Sequence, residues 1–192
     1  MSREFCGYFD SLVDDEREYD AAQFAHLLRA GFRNGVTSHQ GGGLAVSAAE
    51  TGMTTRLSPG GCLINGYLYV LEDDGGSVKS FTHEASAAND RWDRIVLRLD
   101  TSSEARTITA VLKSGTPGAA PEPPALERSG NRYELSLAKV KIRAGAESIE
   151  ADDVTDERAD GEACGHAVPV WLKEADGLAP LTSVEIDGIL AQ

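Results

Sequence analysis

From Trp92 to Asp100 the chain alternates strictly, with Ile95, Leu97 and Leu99 on one face and Arg94, Val96 and Arg98 on the other. After a polar break over 101–104, the segment from Thr107 to Lys113 alternates again. A repeat of two matches a strand, whose successive side chains point to opposite faces, and it scatters around a helix. The β-branched content of both runs agrees. Together they predict two half-buried antiparallel strands joined by a turn. A chain built around such a pair has to be a β scaffold.

Further strands fit the same scheme. Leu44 and Val46, then Met53, Thr55 and Leu57, predict two short strands around a turn at Glu50-Thr51-Gly52. Ser58-Pro59-Gly60-Gly61 is a turn sequence. Cys62-Leu63-Ile64 and Tyr67 to Leu71 flank Asn65-Gly66, the dipeptide best suited to a two-residue hairpin turn with positive φ at both positions. A short strand is expected from Val78 to Phe81. The strip from Gly115 to Pro124 holds prolines that cannot donate to a ladder, so it reads as a stiff crossover to a strand from Tyr133 to Ile142. In that last strand the apolar face switches from Leu135 and Leu137 to Val140 and Ile142, which predicts a bulge near Ala138. Asp152 to Asp160 reads as a charged loop.

The first 35 residues differ in kind. Asp20 and Gln23 form a capping-box pair, Phe24, Leu27 and Leu28 make an apolar stripe, and Gly31 is placed to stop the helix. An extended arm carrying Phe5, Tyr8 and Phe9 precedes that helix. The expected architecture is mainly β: an antiparallel β-sandwich-like domain over residues 36–160. An N-terminal arm and amphipathic helix over 1–35 precede it, and a docking tail over 161–192 follows. The stripe Phe24, Leu27 and Leu28 is expected to be buried.

With 31 acidic against 18 basic residues the net charge is -13, which opposes binding to a phosphate backbone. Cys6, Cys62 and Cys164 are odd in number and far apart, matching neither a zinc site nor a disulfide framework and suiting a reducing cytosol. The opening residues lack a signal-peptide core, and no apolar run approaches the roughly 20 residues that span a bilayer. Secretion by the ordinary route and membrane insertion are not expected.

Catalytic patterns are missing from the sequence. His26, His39, His83 and His166 stand alone, none with a second ligand at metal spacing. There is no nucleophile elbow, phosphate loop, zinc-protease helix or dinucleotide fingerprint. Asp14-Asp15-Glu16 and Glu72-Asp73-Asp74 lack the calcium-loop pattern and read as solvated turns. Asp156 and Arg158 read as an ion pair. No catalytic residue, cofactor or metal is expected. The candidate interface residues are Phe5, Tyr8 and Phe9 in the arm and Trp171 and Leu172 near the other end, apolar groups outside the patterned domain.

The ordered segments carry a resemblance. Gly-Tyr-Phe-Asp (Gly7 to Asp10) precedes Tyr-Asp-Ala-x-x-Phe-Ala (Tyr19 to Ala25), Gly-Met-Thr (Gly52 to Thr54) and Pro-Gly-Gly-x-x-Ile-Asn-Gly-Tyr-x-Tyr (Pro59 to Tyr69). Asp-Arg-Ile-Val-Leu-Arg-Leu-Asp (Asp93 to Asp100) and the Gly-Thr-Pro strip (Gly115 to Pro124) follow. Tyr-Glu-Leu-x-Leu-Ala-x-Val (Tyr133 to Val140) and Ile-x-x-x-x-Val-Thr-Asp-x-Arg (Ile149 to Arg158) complete the set. Over residues 5–160 the chain resembles tail and baseplate structural proteins of long-tailed bacteriophages, in particular the upper-baseplate and receptor-binding-protein adaptor group. The resemblance implies a non-enzymatic virion protein at the tail tip or baseplate, assembled in the host cytoplasm. It also implies a homo-oligomer, preferably a trimer, joining the tail core to host-recognition parts. Only 34 residues follow Arg158, so a reduced connector is expected. The competing readings are a carbohydrate-binding host-recognition module and a glycan depolymerase.

Overall fold

The alternating run becomes β7 (Arg91–Asp100), the central strand of the largest sheet. The computed structural model describes residues 7–37, 43–72 and 79–170. Within them lie a helix α1 (Ala21–Gly31) and ten strands. The first six are β1 (Gly35–Val36), β2 (Val46–Ala48), β3 (Thr54–Leu57), β4 (Gly60–Ile64), β5 (Tyr67–Leu71) and β6 (Lys79–Thr82). After β7 come β8 (Thr107–Lys113), β9 (Arg132–Ile142) and β10 (Val154–Asp156). They form three antiparallel sheets, ordered β10-β9-β7-β8, β1-β4-β5 and β2-β3-β6. The fold is mainly β and sandwich-like, as the period-two patterning requires.

One core joins the sheets. Ile95, Leu97 and Leu99 of β7 meet Leu135, Leu137, Val140 and Ile142 of β9, and Leu57, Ile64 and Phe81 close over them from the other two sheets. The face switch in β9 has the expected cause. Ile95 pairs with Ala138 and Val96 with Ser136, which leaves Leu137 as the extra residue of a bulge. At the β4–β5 hairpin Asn65 and Gly66 have φ of 51° and 83°, the geometry that the dipeptide announced.

The other face of β7 departs from expectation. A half-buried strand would show Arg94, Val96 and Arg98 to water, yet Val96 is fully buried and its neighbours Glu134, Ser136 and Glu157 are buried too. The reason is the Pro-rich crossover. Because β9 lies on the far side of β7 from β8, the connection has to cross that face, and residues 115–128 form a strap over it. Arg94 Nη1 donates to Pro124 O at 2.7 Å and Lys113 Nζ to Ala125 O at 2.6 Å. Carbonyls of a segment with few N–H groups are thus the natural acceptors for cations aligned on the sheet.

Two local expectations are corrected. The 152–160 stretch is not merely a loop: a 3₁₀ turn over Ala151–Asp153 leads into β10, which pairs with β9. Alternation is hidden there because β10 is three residues long and its exposed Thr155 and Asp156 look like loop residues. The helix does end at Gly31, but by passing into extended backbone at Phe32, φ -133°, rather than through a left-handed glycine. Residues 163–167 join the β body. Val36 N–H donates to Gly165 O, Ala167 N–H to Val36 O, and Ser136 N–H to Ala163 O.

Candidate functional site: an outward apolar face and a sealed polar cluster

The capping box forms as its spacing demands, with Gln23 N–H donating to Asp20 Oδ1 at 2.8 Å and Asp20 N–H to Gln23 Oε1 at 2.7 Å. The helix then packs in an unexpected orientation. Phe24 and Leu27 are 54% and 53% exposed, Leu28 is half-buried, and the buried residue is Ala25. Steric closeness explains this correction. A Cβ on Gly66 would collide with the Ala25 carbonyl, so α1 sits down on the hairpin turn through its smallest side chain. Gly66 is needed twice there, for its positive φ and for that contact. With Ala25 against the turn, the large apolar residues face outward.

The arm folds back on the same helix. Tyr8 Oη donates to Gln23 O at 2.5 Å, Phe9 N–H donates to Tyr19 Oη at 2.8 Å, and the Tyr8 and Tyr19 rings lie 5.0 Å apart. Tyr8 remains 43% and Phe9 59% exposed in the isolated chain. Beside α1 runs β5, an edge strand of its sheet, with Leu68 62% and Val70 53% exposed. Leu68 and Ala21 line a shared cleft of about 430 Å³ together with Leu99 and Ile108. The arm, the outer face of α1 and the β5 edge therefore present apolar side chains outward. Of the candidate interface residues, Tyr8 and Phe9 belong to this exposed set, whereas Phe5, Trp171 and Leu172 lie outside the described residues.

The polar cluster was not legible from residue spacing. Thr55 Oγ1 lies 3.0 Å from His83 Nε2, and His83 Nδ1 lies 2.8 Å from Asp93 Oδ2. This is the hydroxyl–imidazole–carboxylate order of a nucleophilic triad. Arg91 Nε and the Gly115 N–H donate to Asp93 Oδ1 at 2.8 and 3.1 Å, and Arg91 Nη2 donates to Glu84 O. Burial pushes the Asp93 carboxyl up, but the hydrogen bonds from His83, Arg91 and Gly115 outweigh it and hold the group below its ordinary range. Thr55 and Asp93 are fully buried and His83 is 2% exposed. A nucleophile has to meet a substrate, and this hydroxyl meets only its neighbours. The cluster instead ties β3, the segment after β6, β7 and the start of the strap together. Parity was the available signal: Arg91 and Asp93 continue the Ile95–Leu97–Leu99 face, and charges on a core face need partners.

The two cysteines among the described residues are quiet. Burial pushes the Cys62 thiol up strongly and the Cys164 thiol up to about 12, so neither supplies thiolate near neutrality. His26 and His166 are exposed, His39 lies outside the described residues, and Arg158 grips Asp156 with Nε at 2.9 Å and Nη2 at 2.6 Å. Among the described residues no group of three or more His, Cys, Asp or Glu is placed to hold a metal ion, and no helix is long and apolar enough to cross a membrane. No known protein-family model matches the chain, and no curated protein or solved structure does so significantly.

Proposed function

We propose that the protein is a non-enzymatic structural component of a phage tail tip or baseplate, which self-associates and connects the tail core to host-recognition parts. The observation that carries the assembly reading is the outward apolar face of α1. Evenly exposed Phe24 and Leu27, on a helix whose small side is spent on the Asn65-Gly66 turn, are disfavoured in a monomer and useful at an interface. The edge of β5, with exposed Leu68 and Val70, adds a place where a second chain can pair or pack. A closed ring of identical copies is the economical use of one such face, and the resemblance to baseplate connectors favours three. The sealing of the Thr55–His83–Asp93 cluster supports a binding rather than a catalytic role.

Sedimentation equilibrium on the full chain, with the Phe24→Ser/Leu27→Ser variant alongside, tests the assembly. The expected result is a trimer that the double substitution returns to monomer while the circular dichroism spectrum is unchanged. A wild-type monomer at high micromolar concentration, with no capture by tail-tip proteins, defeats the proposal. New reducing ends from host cell-wall or capsular glycans would instead establish the depolymerase, and saturable glycan binding without cleavage the carbohydrate-binding module.

A further inference from the structure

A second cleft, of about 440 Å³, opens where the segment after β10 passes the end of α1. That size falls within the roughly 300–1,000 Å³ of small-ligand sites. Arg33 and Arg128 contribute its cationic lining, His166 an imidazole at the rim, and Tyr133, Leu135 and Val168 its apolar wall. Positive charge gathered in one concavity is notable on a chain of net charge -13.

Backbone pairing fixes Arg33, whose N–H donates to Val168 O at 3.0 Å, while the adjacent Asn34 and Asn65 bond to each other. Its Nε is buried with no hydrogen-bond partner among the described residues. That nitrogen is closed to solvent, so an anion in the cleft would meet the outer guanidinium nitrogens of Arg33 rather than Nε. Arg128 is held rigidly opposite. Its Nε donates to Glu134 O at 3.0 Å, its Nη2 to Ala163 O at 2.9 Å, and its guanidinium stands 5.2 Å from the centre of the Tyr133 ring. Those contacts are to neutral groups, so the positive charge is not cancelled. Two acidic residues of the neighbouring turn are engaged, and Glu162 is exposed. Asp156 is bound by Arg158, and Asp160 accepts from the N–H groups of Glu162 and Ala163.

From this arrangement we propose that the cleft between Arg33, Arg128 and His166 binds a small monocarboxylate, such as an acidic sugar. Guanidinium groups suit the planar carboxylate, and the Tyr133–Leu135–Val168 wall suits a carbon skeleton. A singly charged ligand is favoured over a polyanion, because each added negative charge is repelled by the surplus acid of the whole chain. The site does not depend on the assembly reading.

The test is an NMR titration of the full chain with sodium glucuronate, glucose and inorganic phosphate at matched ionic strength, following the Arg33 Nε–Hε resonance. Glucuronate should shift that resonance saturably, glucose should not, and phosphate should bind more weakly. Arg33→Gln should raise the half-saturation concentration about tenfold or more, the size of one hydrogen bond to a charged group. Val168→Asp, at a 39% exposed rim position, should weaken glucuronate similarly by placing a competing carboxylate there, and it remains informative if Arg33→Gln fails to fold. Absence of saturation, equal binding of glucose, or tighter binding of phosphate overturns the proposal. So does a Glu174→Gln/Asp176→Asn variant whose Arg33 resonance moves without ligand, since the chain's own acidic residues would then be the occupant.

Discussion

The strap-covered face of the central sheet and the outer face of α1 place their side chains in opposite ways. Under the strap, charge is buried: Glu134 is fully enclosed and receives Arg98 Nε at 2.8 Å, Lys113 Nζ at 2.6 Å and the Glu127 N–H at 2.8 Å. On α1, half of each large apolar residue is in water. The first departure is self-contained, since its cations and anions pair within the chain, although Arg94 Nε, 3.2 Å from Glu157, makes no hydrogen bond. The second has no partner within the described residues. A polar group can be buried when its bonds are complete, whereas an apolar group left outside gains nothing until another surface covers it. The contrast separates internal architecture from a surface left open to solvent.

The sharpest way to break the contrast is to remove the anion under the strap. Glu134→Ala leaves Arg98 and Lys113 facing a space without countercharge and should cost about 3–5 kcal/mol in equilibrium unfolding. A loss below about 1 kcal/mol would mean that water reaches the face and that the strap is loose.

Acid should act on the same groups. Burial pushes the Glu134 carboxyl up, but the bonds from Glu127 N–H, Lys113 and Arg98 outweigh it, so Glu134, like Asp93, titrates below its ordinary value. A folded pKa below the unfolded one gives stability that is complete above the unfolded value and is lost as pH falls through the folded one. The denaturant midpoint should thus hold steady down to about pH 5 and fall below about pH 4.5. Glu134→Gln should flatten part of that fall, and an unchanged profile would remove Glu134 from the account.

At the contact between the two regions, Asn65→Pro should destabilise by more than about 1 kcal/mol, because proline cannot adopt positive φ. Its melting curve should also report loss of α1 docking, since Ala25 rests on that turn. Asp20→Ala removes the cap and should cost about 1 kcal/mol, within the usual range of about 0.5–2. The smallest stability effect is expected on the outer face. Phe24→Ser should change unfolding free energy by less than about 0.5 kcal/mol and yet weaken self-association. A large destabilisation of the monomer would show that this face is internal after all.

Much of the β framework is legible in the sequence. The β7 and β8 runs, the Asn65-Gly66 hairpin, the bulge beside Ala138 and the Asp20–Gln23 box all depend on interactions between residues close in sequence or on strict periodicity. The candidate site was less legible. Tyr8 and Phe9 stood out as apolar residues beyond the patterned domain, but Phe24 and Leu27 read as core, because an amphipathic stripe specifies a face without specifying what it meets. The Thr55–His83–Asp93 cluster joins residues 28 and 10 positions apart, a spacing no local pattern marks.

What the sequence determined by itself was therefore the set of elements, their turns and caps, and the side of β7 that carries its apolar residues. Tertiary structure alone decided the rest. It laid the proline strap over the charged side of the sheet, turned the small side of α1 to Gly66 and its large residues outward, and brought Arg33, Arg128 and His166 to one cleft. The physical reason is range. Periodicity and turn chemistry are properties of neighbouring residues, whereas burial and charge pairing are settled by whichever distant segment the crossing of the chain brings overhead.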